Sequence, residues 1–529
     1  MAQTTTEESD QPGAPRARRA GQGHPWLTLV SVALGVIMVA LDGTVVAIAN
    51  PEIGRDLGAS LADLQWVTSG YLLALAVFLI TAGKLGDRFG HKKIFIIGVV
   101  GFALTSLAIG LSHSIGAVVA FRVLQGLFGA MLQPTALALL RAAFPAEKLN
   151  MAIGVWGASF GVSTAAGPVV GGLLVEHVSW QSVFFINIPV GIVALAAGLW
   201  ALKESKAPAL ARLDVAGIVL LSGAMFCLVW GIIKAPEWGW GDARSLGFFA
   251  GAAILTGLFV FWQARAPEPL VPLSLFRSTS VSIGTVLMVL VAFSMFGSLF
   301  FLTFFLQNVH RLSPVESGLR MMPMSLMMII SSPLAGALIT KYGPRVPIIG
   351  GLVVTAVAMF LLSRLQLDAG YGATALPFLL LGLGLAPVMV AATDVIVGNS
   401  PEHLTGVASG VQQSAMQVGG SLGTAVLGAV MTARVAAVLP GHFASNGLPA
   451  PTDAQVEQMK GAVAAGVVPL GPETPPQVAA AVTRAAELSF LDGMHLAFTL
   501  SAVMAVVAIG LAFWVKAGRK QEGPGPVHM

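Results

Sequence analysis

The feature that most constrains this chain is a series of fourteen apolar stretches separated by polar segments. A helix needs about 20 mostly apolar residues to cross the hydrocarbon core of a bilayer. The stretches cover residues 26–49, 64–82, 93–112, 114–139, 152–175, 182–202, 213–234, 245–263, 281–306, 316–340, 345–364, 372–398, 406–435 and 494–516. The sequence therefore predicts an all-α integral membrane protein with 14 transmembrane helices.

Composition supports this class. Of the 529 residues, 56% are hydrophobic and only 10% are charged, whereas about a quarter of the residues of a soluble protein are charged. The net charge of +4 is spread over short loops, so it indicates membrane orientation and no nucleic-acid partner. The first apolar run is too long for a signal-peptide core, and we expect it to be retained as a span.

Loop charges predict the orientation. An even number of spans places both termini on one side of the membrane. With the N-terminus inside, inner segments hold about 19 of the 29 Lys and Arg residues, and outer segments hold about 9. Because positive residues are enriched in cytoplasmic loops, we expect cytoplasmic tails at residues 1–25 and 517–529 of a plasma-membrane protein. The chain has no Asn-x-Ser/Thr acceptor, which is consistent with a bacterial source.

An internal repeat divides the chain. Several residues recur at a constant offset of 253 residues. The pairs are Gly83 and Gly336, Leu85 and Leu338, Gly90 and Gly343, Gly129 and Gly382, Pro134 and Pro387, and Gly167 and Gly420. Such a repeat predicts two six-helix bundles in parallel orientation. We place them at residues 26–202 and 281–516, with two linking transmembrane helices at 213–263.

The longest polar segment lies in the second bundle, at residues 436–493 on the predicted outer side. It is rich in Ala, Pro and Gly, and two short amphipathic helices are predicted at 453–465 and 477–488. A folded cap is one interpretation, but the composition favours a flexible surface segment.

Two ionisable residues lie at membrane depth, where a charge costs a few kcal/mol and marks a functional site. At 1.5 Å per residue, Asp42 and Arg122 both lie roughly 10–12 Å below the predicted outer surface. Equal depth permits an interaction between them, and a carboxylate held between a cation and a low-dielectric cavity can load and release a proton. The alternative is a static buried ion pair.

Other residues predict a hinge and a cavity. Repeated glycines around Pro168 in the fifth span suit either a bendable helix or close packing. Phe and Met stripes with nearby polar groups suit either an adaptable substrate cavity or ordinary core. The candidate cavity residues are Gln125, Gln133, Phe300, Phe304, Met324, Met328 and Asp394. For Asp394, a structural capping role is an equal alternative.

The sequence lacks a phosphate-binding loop and any Cys/His metal cluster. We therefore expect no catalytic residues, no ATP use, no metal and no cofactor, and the chain is predicted not to be an enzyme.

Several motifs resemble those of the major facilitator superfamily. Residues 83–92, with Gly83, Gly86, Asp87, Arg88, Gly90 and Lys92, are similar to its signature cytoplasmic loop. The Arg122–Gly126 stretch resembles the fourth-helix motif linked to proton coupling, and 161–172 resembles the fifth-helix antiporter motif. The stretches around Asp42 and Asn187 are similar to the fourteen-helix drug:proton antiporter branch.

The resemblance implies a role for each motif. The loop residues would form a cytoplasmic gate that locks the inner ends of the two halves, and Asp42 and Arg122 would handle the proton. A flexible helix that favours export would be built by Gly161, Gly167, Pro168, Gly171 and Gly172. His91 departs from the motif, where Arg is common. The second-half loop lacks the acidic residue, so we expect an asymmetric lock.

The resemblance implies a monomeric exporter of hydrophobic or cationic compounds, driven by protons through alternating access. Two alternatives stay open at this stage. One is a dedicated exporter of a single metabolite, such as a self-made antibiotic or siderophore. The other is a transporter-like sensor that does not pump.

Overall fold

The computed structural model describes residues 24–204, 214–400, 404–468, 470 and 475–516. All regular secondary structure in these residues is helical. The α-helices are α1 Pro25–Leu57, α2 Leu61–Phe89, α3 His91–Gly110, α4 Ile115–Ala130, α5 Leu132–Ala143, α6 Ala146–His177, α7 Ser182–Phe185, α8 Asn187–Ala201, α9 Val215–Trp238, α10 Ala243–Gln263, α11 Thr279–Phe304, α12 Pro314–Tyr342, α13 Arg345–Leu362, α14 Tyr371–Gly398, α15 Thr405–Ser445, α16 Asp453–Ala464 and α17 Pro476–Ala512. A 3₁₀ turn, Leu273–Arg277, precedes α11, and a π-helical turn, Phe305–Val309, follows it.

The predicted all-α membrane architecture is confirmed. Within the described residues, 13 helices are long and apolar enough to cross a membrane, and a bent pair in α6 brings the number to 14. Helices α4 and α5 form one span, as do α7 and α8. Most of the predicted tails, 1–25 and 517–529, lies outside the described residues.

Helix packing follows the internal repeat. In the first half α1 packs on α6, and α4 packs on α2 and α3. The second half repeats this arrangement, with α11 on α15 and α14 on α12 and α13. Between the halves, α2 packs on α15 and α12 packs on α6. Equivalent helices therefore make equivalent contacts, as a parallel repeat requires.

Asp214 anchors the linking helices α9 and α10. Its carboxylate accepts hydrogen bonds from the backbone N of Gly217 (2.8 Å), Trp262 Nε1 (2.6 Å), Gln263 Nε2 (2.6 Å) and the backbone N of Leu270 (3.1 Å). Burial by itself would raise the pKa of this carboxyl. The four donors stabilise the charged form more strongly, so its pKa lies below the usual value.

Residues 83–92, which resemble a cytoplasmic loop in sequence, are helical except for Gly90. Helix α2 continues to Phe89, and Gly90, with φ of 105°, is the only residue between it and α3. L side chains rarely adopt this backbone conformation. The Glu204 carboxylate accepts hydrogen bonds from the backbone N of Lys92 (3.1 Å) and Lys93 (3.3 Å), so it satisfies free donors at the start of α3.

The preference for a flexible outer segment at 436–493 is wrong. Helix α15 has 41 residues and α17 has 37, so each is about 55–60 Å long and exceeds the bilayer core. His442 Nε2 lies 3.0 Å from Asp492 Oδ2 and joins the two extensions. Lys460 of α16 donates to the carbonyl of Pro236. The Ala-rich sequence of this segment favours helix formation, and the contacts just described stabilise the extended helices.

The two halves are closed at one face and open at the other. At the predicted outer ends of α6 and α12, a Cβ placed on Gly172 would lie 2.5 Å from the carbonyl oxygen of Pro314. Toward the predicted cytoplasmic ends, Gly157 of α6 lines the large space between the halves, and a Cβ there would meet no neighbour within 4 Å in the described part of the chain. Helices α6 and α12 therefore touch at the predicted outer face and leave space at Gly157, toward the face that carries Gly90.

Candidate functional site

Asp42 and Arg122 meet in the interior of the first half. Arg122 Nη1 donates to Asp42 Oδ2 at 2.5 Å, and the side chains are 1% and 0% exposed. Arg122 Nε also donates to the carbonyl of Val67 at 3.1 Å. The guanidinium carbon lies 4.0 Å from the centre of the Tyr71 ring, a distance suited to a cation–π contact.

Three more polar side chains complete this network. Gln125 accepts from Arg122 Nη1 at 2.6 Å and donates to Asp42 Oδ1 at 3.0 Å. Gln125 and Asn187 both donate to Ser106 Oγ, at 2.8 Å and 3.3 Å. Asn187 Nδ2 lies 3.4 Å from Asp42 Oδ1. Both carboxylate oxygens are thus hydrogen-bonded, which is how a buried charge is tolerated.

A large cavity lies beside this network, between the two halves. Its volume is about 540 Å³, within the range of about 300–1,000 Å³ usual for small-molecule sites. The walls are mostly apolar and carry no Asp, Glu, Lys, Arg or His among the described lining residues. The polar side chains lining it are Thr44, Tyr71, Gln133, Thr164, Ser332 and Gln417.

Tyr71 connects the cavity with the ion pair. It lines the large cavity and also a space of about 20 Å³ that touches Arg122. That space is large enough for about one water molecule. The sequence offered no signal for Tyr71 or Ser106, because both lie in apolar runs and match no motif.

The seven predicted cavity residues do not all line the large cavity. Gln133 and Met328 line the large cavity. Gln125 belongs to the Asp42 network, while Phe300, Met324 and Phe304 line three smaller or separate cavities. Asp394 is exposed and lies one turn beyond the cavity-lining Val390 on the same face of α14, so it sits at the mouth. A stripe of Phe or Met residues along one helix spans several depths in the membrane, so only some of its members line any one cavity.

The glycine-rich helix α6 bends by 47° between Val155–Thr164 and Ala166–His177. Pro168 explains the break, because its ring lacks an N–H and crowds the carbonyl four residues earlier. Gly161 lines the large cavity. A Cβ on Gly171 would lie 3.1 Å from Val45 Cα of α1, and one on Gly167 would overlap Thr44. Gly172 contacts α12, so three of the four predicted glycines are packing positions.

The contacts described for the predicted gate residues lie within the first half of the molecule, most of them within their own hairpin. Asp87 Oδ1 lies 3.2 Å from His91 Nε2, and the Arg88 guanidinium lies 5.2 Å from the Phe89 ring centre. A Cβ on Gly86 would overlap His91, whereas one on Gly83 would make an ordinary contact. Lys92 Nζ donates to the carbonyl of Leu199 at 3.1 Å. Since this face is open, the lock between the halves stays a prediction for the opposite conformation.

Comparison with known proteins identifies the family. Residues 32–424 match the family model described as Major Facilitator Superfamily. The chain is 56% identical over 521 residues to the tetracenomycin C resistance and export protein of Streptomyces glaucescens, covering 98% of this chain and 97% of that protein. It is 36% identical over 421 residues to the multidrug resistance protein Stp of Mycobacterium tuberculosis, covering 79% and 78%.

Solved structures show the same fold. A bacterial homologue of the human lysosomal transporter Spinster, in an inward-facing and occupied conformation, aligns with a TM-score of 0.62 at 17% identity. The alignment covers 92% of this chain and 96% of that one. The chain therefore belongs to the major facilitator superfamily, and it is a multi-pass membrane transporter and not an enzyme.

Proposed function

We propose that the chain exports hydrophobic, uncharged, antibiotic-like molecules from the cytoplasm in exchange for protons. The observation that carries this proposal is the position of the Asp42–Arg122 pair, separated from the large apolar cavity by the Tyr71 side chain. A proton site and a substrate site that share one wall can influence each other. The export direction is supported by relatives named for resistance and export.

The proton step uses Asp42. When the cavity is open to the outside, a proton binds to the Asp42 carboxylate, neutralises it and weakens its ionic interaction with Arg122. The proton-loaded carrier then reorients by rocking of the two halves. Once the cavity faces the cytoplasm, the proton leaves and the ion pair forms again as substrate binds. The membrane potential supplies about 2.3 kcal/mol per charge per 100 mV, and no cofactor is needed.

The cavity walls restrict the substrate. A cation in a cavity of low dielectric constant requires a nearby carboxylate. The described lining residues offer none, and the carboxylate of Asp394 lies at the mouth, one turn beyond the lining residue Val390. Asp42 already pairs with Arg122. The arrangement therefore favours uncharged apolar substrates over the cationic ones that the family resemblance also allowed.

A dedicated exporter of one antibiotic is the second candidate. It is favoured by the identity of 56%, extending over 98% of the chain, with a protein named for resistance to and export of tetracenomycin C. A resistance panel in cells that overexpress the chain separates the two: protection against one compound supports the dedicated exporter, and protection against several unrelated compounds supports the broader one.

The experiment that tests proton exchange uses purified protein in liposomes with a pH-sensitive dye inside. Adding substrate should move protons through the wild type, whereas Asp42→Asn should bind substrate yet move no protons, because an amide cannot be protonated at Asp42. The exposed Asp453→Asn on α16 is the matched control and should behave as the wild type. Normal proton movement in Asp42→Asn would refute the role of Asp42.

A further inference from the structure

Two glutamine side chains in the large cavity lack hydrogen-bond partners in the described part of the chain. Gln133 of α5 is 3% exposed, and neither its Oε1 nor its Nε2 has a partner. Gln417 of α15 is 5% exposed, and its Oε1 has no partner. Both side chains line the cavity. Buried polar groups are nearly always hydrogen-bonded, so each exception calls for an explanation.

The two glutamines belong to different halves of the molecule. Helix α5 is part of the first half, and α15 is part of the second. The neighbouring lining residues are apolar, among them Leu75, Met295, Phe296 and Met416. The cavity therefore presents an apolar surface with one unpaired amide on each side. A hydrophobic molecule could not satisfy these groups unless it also carried oxygen or nitrogen atoms that form hydrogen bonds.

The unpaired atoms define the complementary chemistry. The Gln133 amide offers both a donor and an acceptor, so it suits a carbonyl or a hydroxyl group. The free Gln417 oxygen is an acceptor and needs an O–H or N–H donor. Both groups are neutral, which matches the absence of ionised lining residues. An apolar molecule with hydrogen-bonding groups on two opposite sides would fill the cavity and satisfy both amides.

We propose that Gln133 and Gln417 hold the substrate from opposite halves, and that the substrate class is uncharged apolar molecules that present a carbonyl or hydroxyl group to Gln133 and an O–H or N–H donor to Gln417. This inference rests on the proposed function, since it specifies the molecule that the same cavity exports. It also assigns the contact between substrate and both halves to two named side chains.

The test is competition binding to the full chain in lipid nanodiscs without a proton gradient. The probes are 2,6-dihydroxyanthraquinone, anthraquinone and anthracene, which share one ring frame and differ in their oxygens. At about pH 6 the phenols are neutral. The variants are Gln133→Met and Gln417→Met, which keep the side-chain length. Gln412→Met is the matched control, because Gln412 is buried in α15 outside the cavity lining.

The wild type should bind the dihydroxy compound at least about tenfold more tightly than anthracene. In each Met variant the ratio of the two affinities should fall by about three- to tenfold, which corresponds to the free energy of one neutral hydrogen bond. Gln417→Met should affect the dihydroxy probe more than anthraquinone, which has no donor. The melting temperature should stay equal or rise, because an unpaired buried amide has been replaced by an apolar side chain. Gln412→Met should keep the full preference.

Equal binding of all three probes by the wild type would overturn the proposal. If both Met variants kept the full preference for the dihydroxy probe over anthracene, the proposal would also be wrong. A fall in melting temperature together with an equal loss of affinity for every probe would indicate that the glutamines have only a packing role, and it would overturn the proposal as well. Because no proton gradient is present, these results are independent of coupling. Tight, oxygen-dependent binding without proton exchange would refute the proposed function and leave the assignment of Gln133 and Gln417 intact.

Discussion

Replacing Gly172 by alanine should shift the carrier away from the conformation described above. A Cβ at this position would lie 2.5 Å from the carbonyl oxygen of Pro314, and 2.9 Å from both its carbonyl carbon and Val315 Cα. These are backbone atoms and cannot rotate away. To restore an ordinary contact of 3.4 Å, α6 and α12 must separate by about 0.9 Å at the outer face.

Overpacking of this kind costs about 1–3 kcal/mol. The cost applies to the conformation that is closed at the outer face, and it vanishes when that face opens. Gly172→Ala should therefore raise the ratio of carriers that are open at the predicted outer face to carriers that are closed there by about 5- to 150-fold. Gly318→Ala should act in the same direction, because its Cβ would overlap Pro168 from the other side of the same contact.

The measurement is the distance between pairs of spin labels on a Cys227→Ser background, which removes the single native cysteine. Labels at Val178 and Tyr371 report on the outer face, and labels at Phe89 and Tyr342 report on the opposite face; all four side chains are exposed. Outer distances should lengthen and inner distances should shorten in Gly172→Ala.

Gly336→Ala is the matched control. It makes the same chemical change on α12 at a position with no neighbour within 4 Å, and its distances should match the wild type. If Gly172→Ala leaves both distances unchanged, the backbone contact does not hold the outer face closed. If the control shifts as much as Gly172→Ala, the effect comes from helix propensity and the argument from packing fails.

Two further predictions concern stability. Gly90→Ala should lower the melting temperature, because a side chain is strained at φ of 105° and the new Cβ would lie 2.7 Å from Glu204 Oε2. Gly116→Ala is the control and should leave the melting temperature unchanged, because its Cβ would meet open space in the described part of the chain. Asp214→Asn should lower the melting temperature near neutral pH. The pKa of Asp214 is depressed in the fold, so its contribution is complete above the unfolded value of about 4 and disappears as pH falls through the folded value. The difference between variant and wild type should therefore shrink on acidification, and a constant difference would contradict this reasoning.

Hydrophobic length was sufficient to predict the membrane architecture. Fourteen spans and a parallel repeat could be read from the chain because a bilayer imposes one length on every helix. The extension of α15 was missed for the same reason, and the helix predicted at 477–488 was not recognised as the beginning of α17. Both segments lie beyond the bilayer, where helix formation depends on contacts such as that between His442 and Asp492, which no local pattern reveals.

The site was predictable in part. Charges at membrane depth are rare enough that Asp42 and Arg122 stand out, and their equal depth predicted the contact. Gln125 was assigned to the cavity because its side of α4 could not be read from a helix that is apolar on every face. Unpaired amides such as Gln133 and Gln417 are recognisable only once every neighbour is placed.

The halves meet at two contacts that are equivalent by the repeat, α2–α15 and α6–α12, but the helices do not approach equally closely at both. On the α2–α15 side, a Cβ on Gly410 would lie 3.2 Å from Ile80 Cγ1. The equivalent position on the α6–α12 side is Gly157, 253 residues earlier, and it has no such neighbour within 4 Å. At this depth the α6–α12 side therefore leaves more space than the α2–α15 side. If the chain exports apolar molecules as proposed, a molecule dissolved in the predicted inner leaflet would reach the cavity through this space without first entering water.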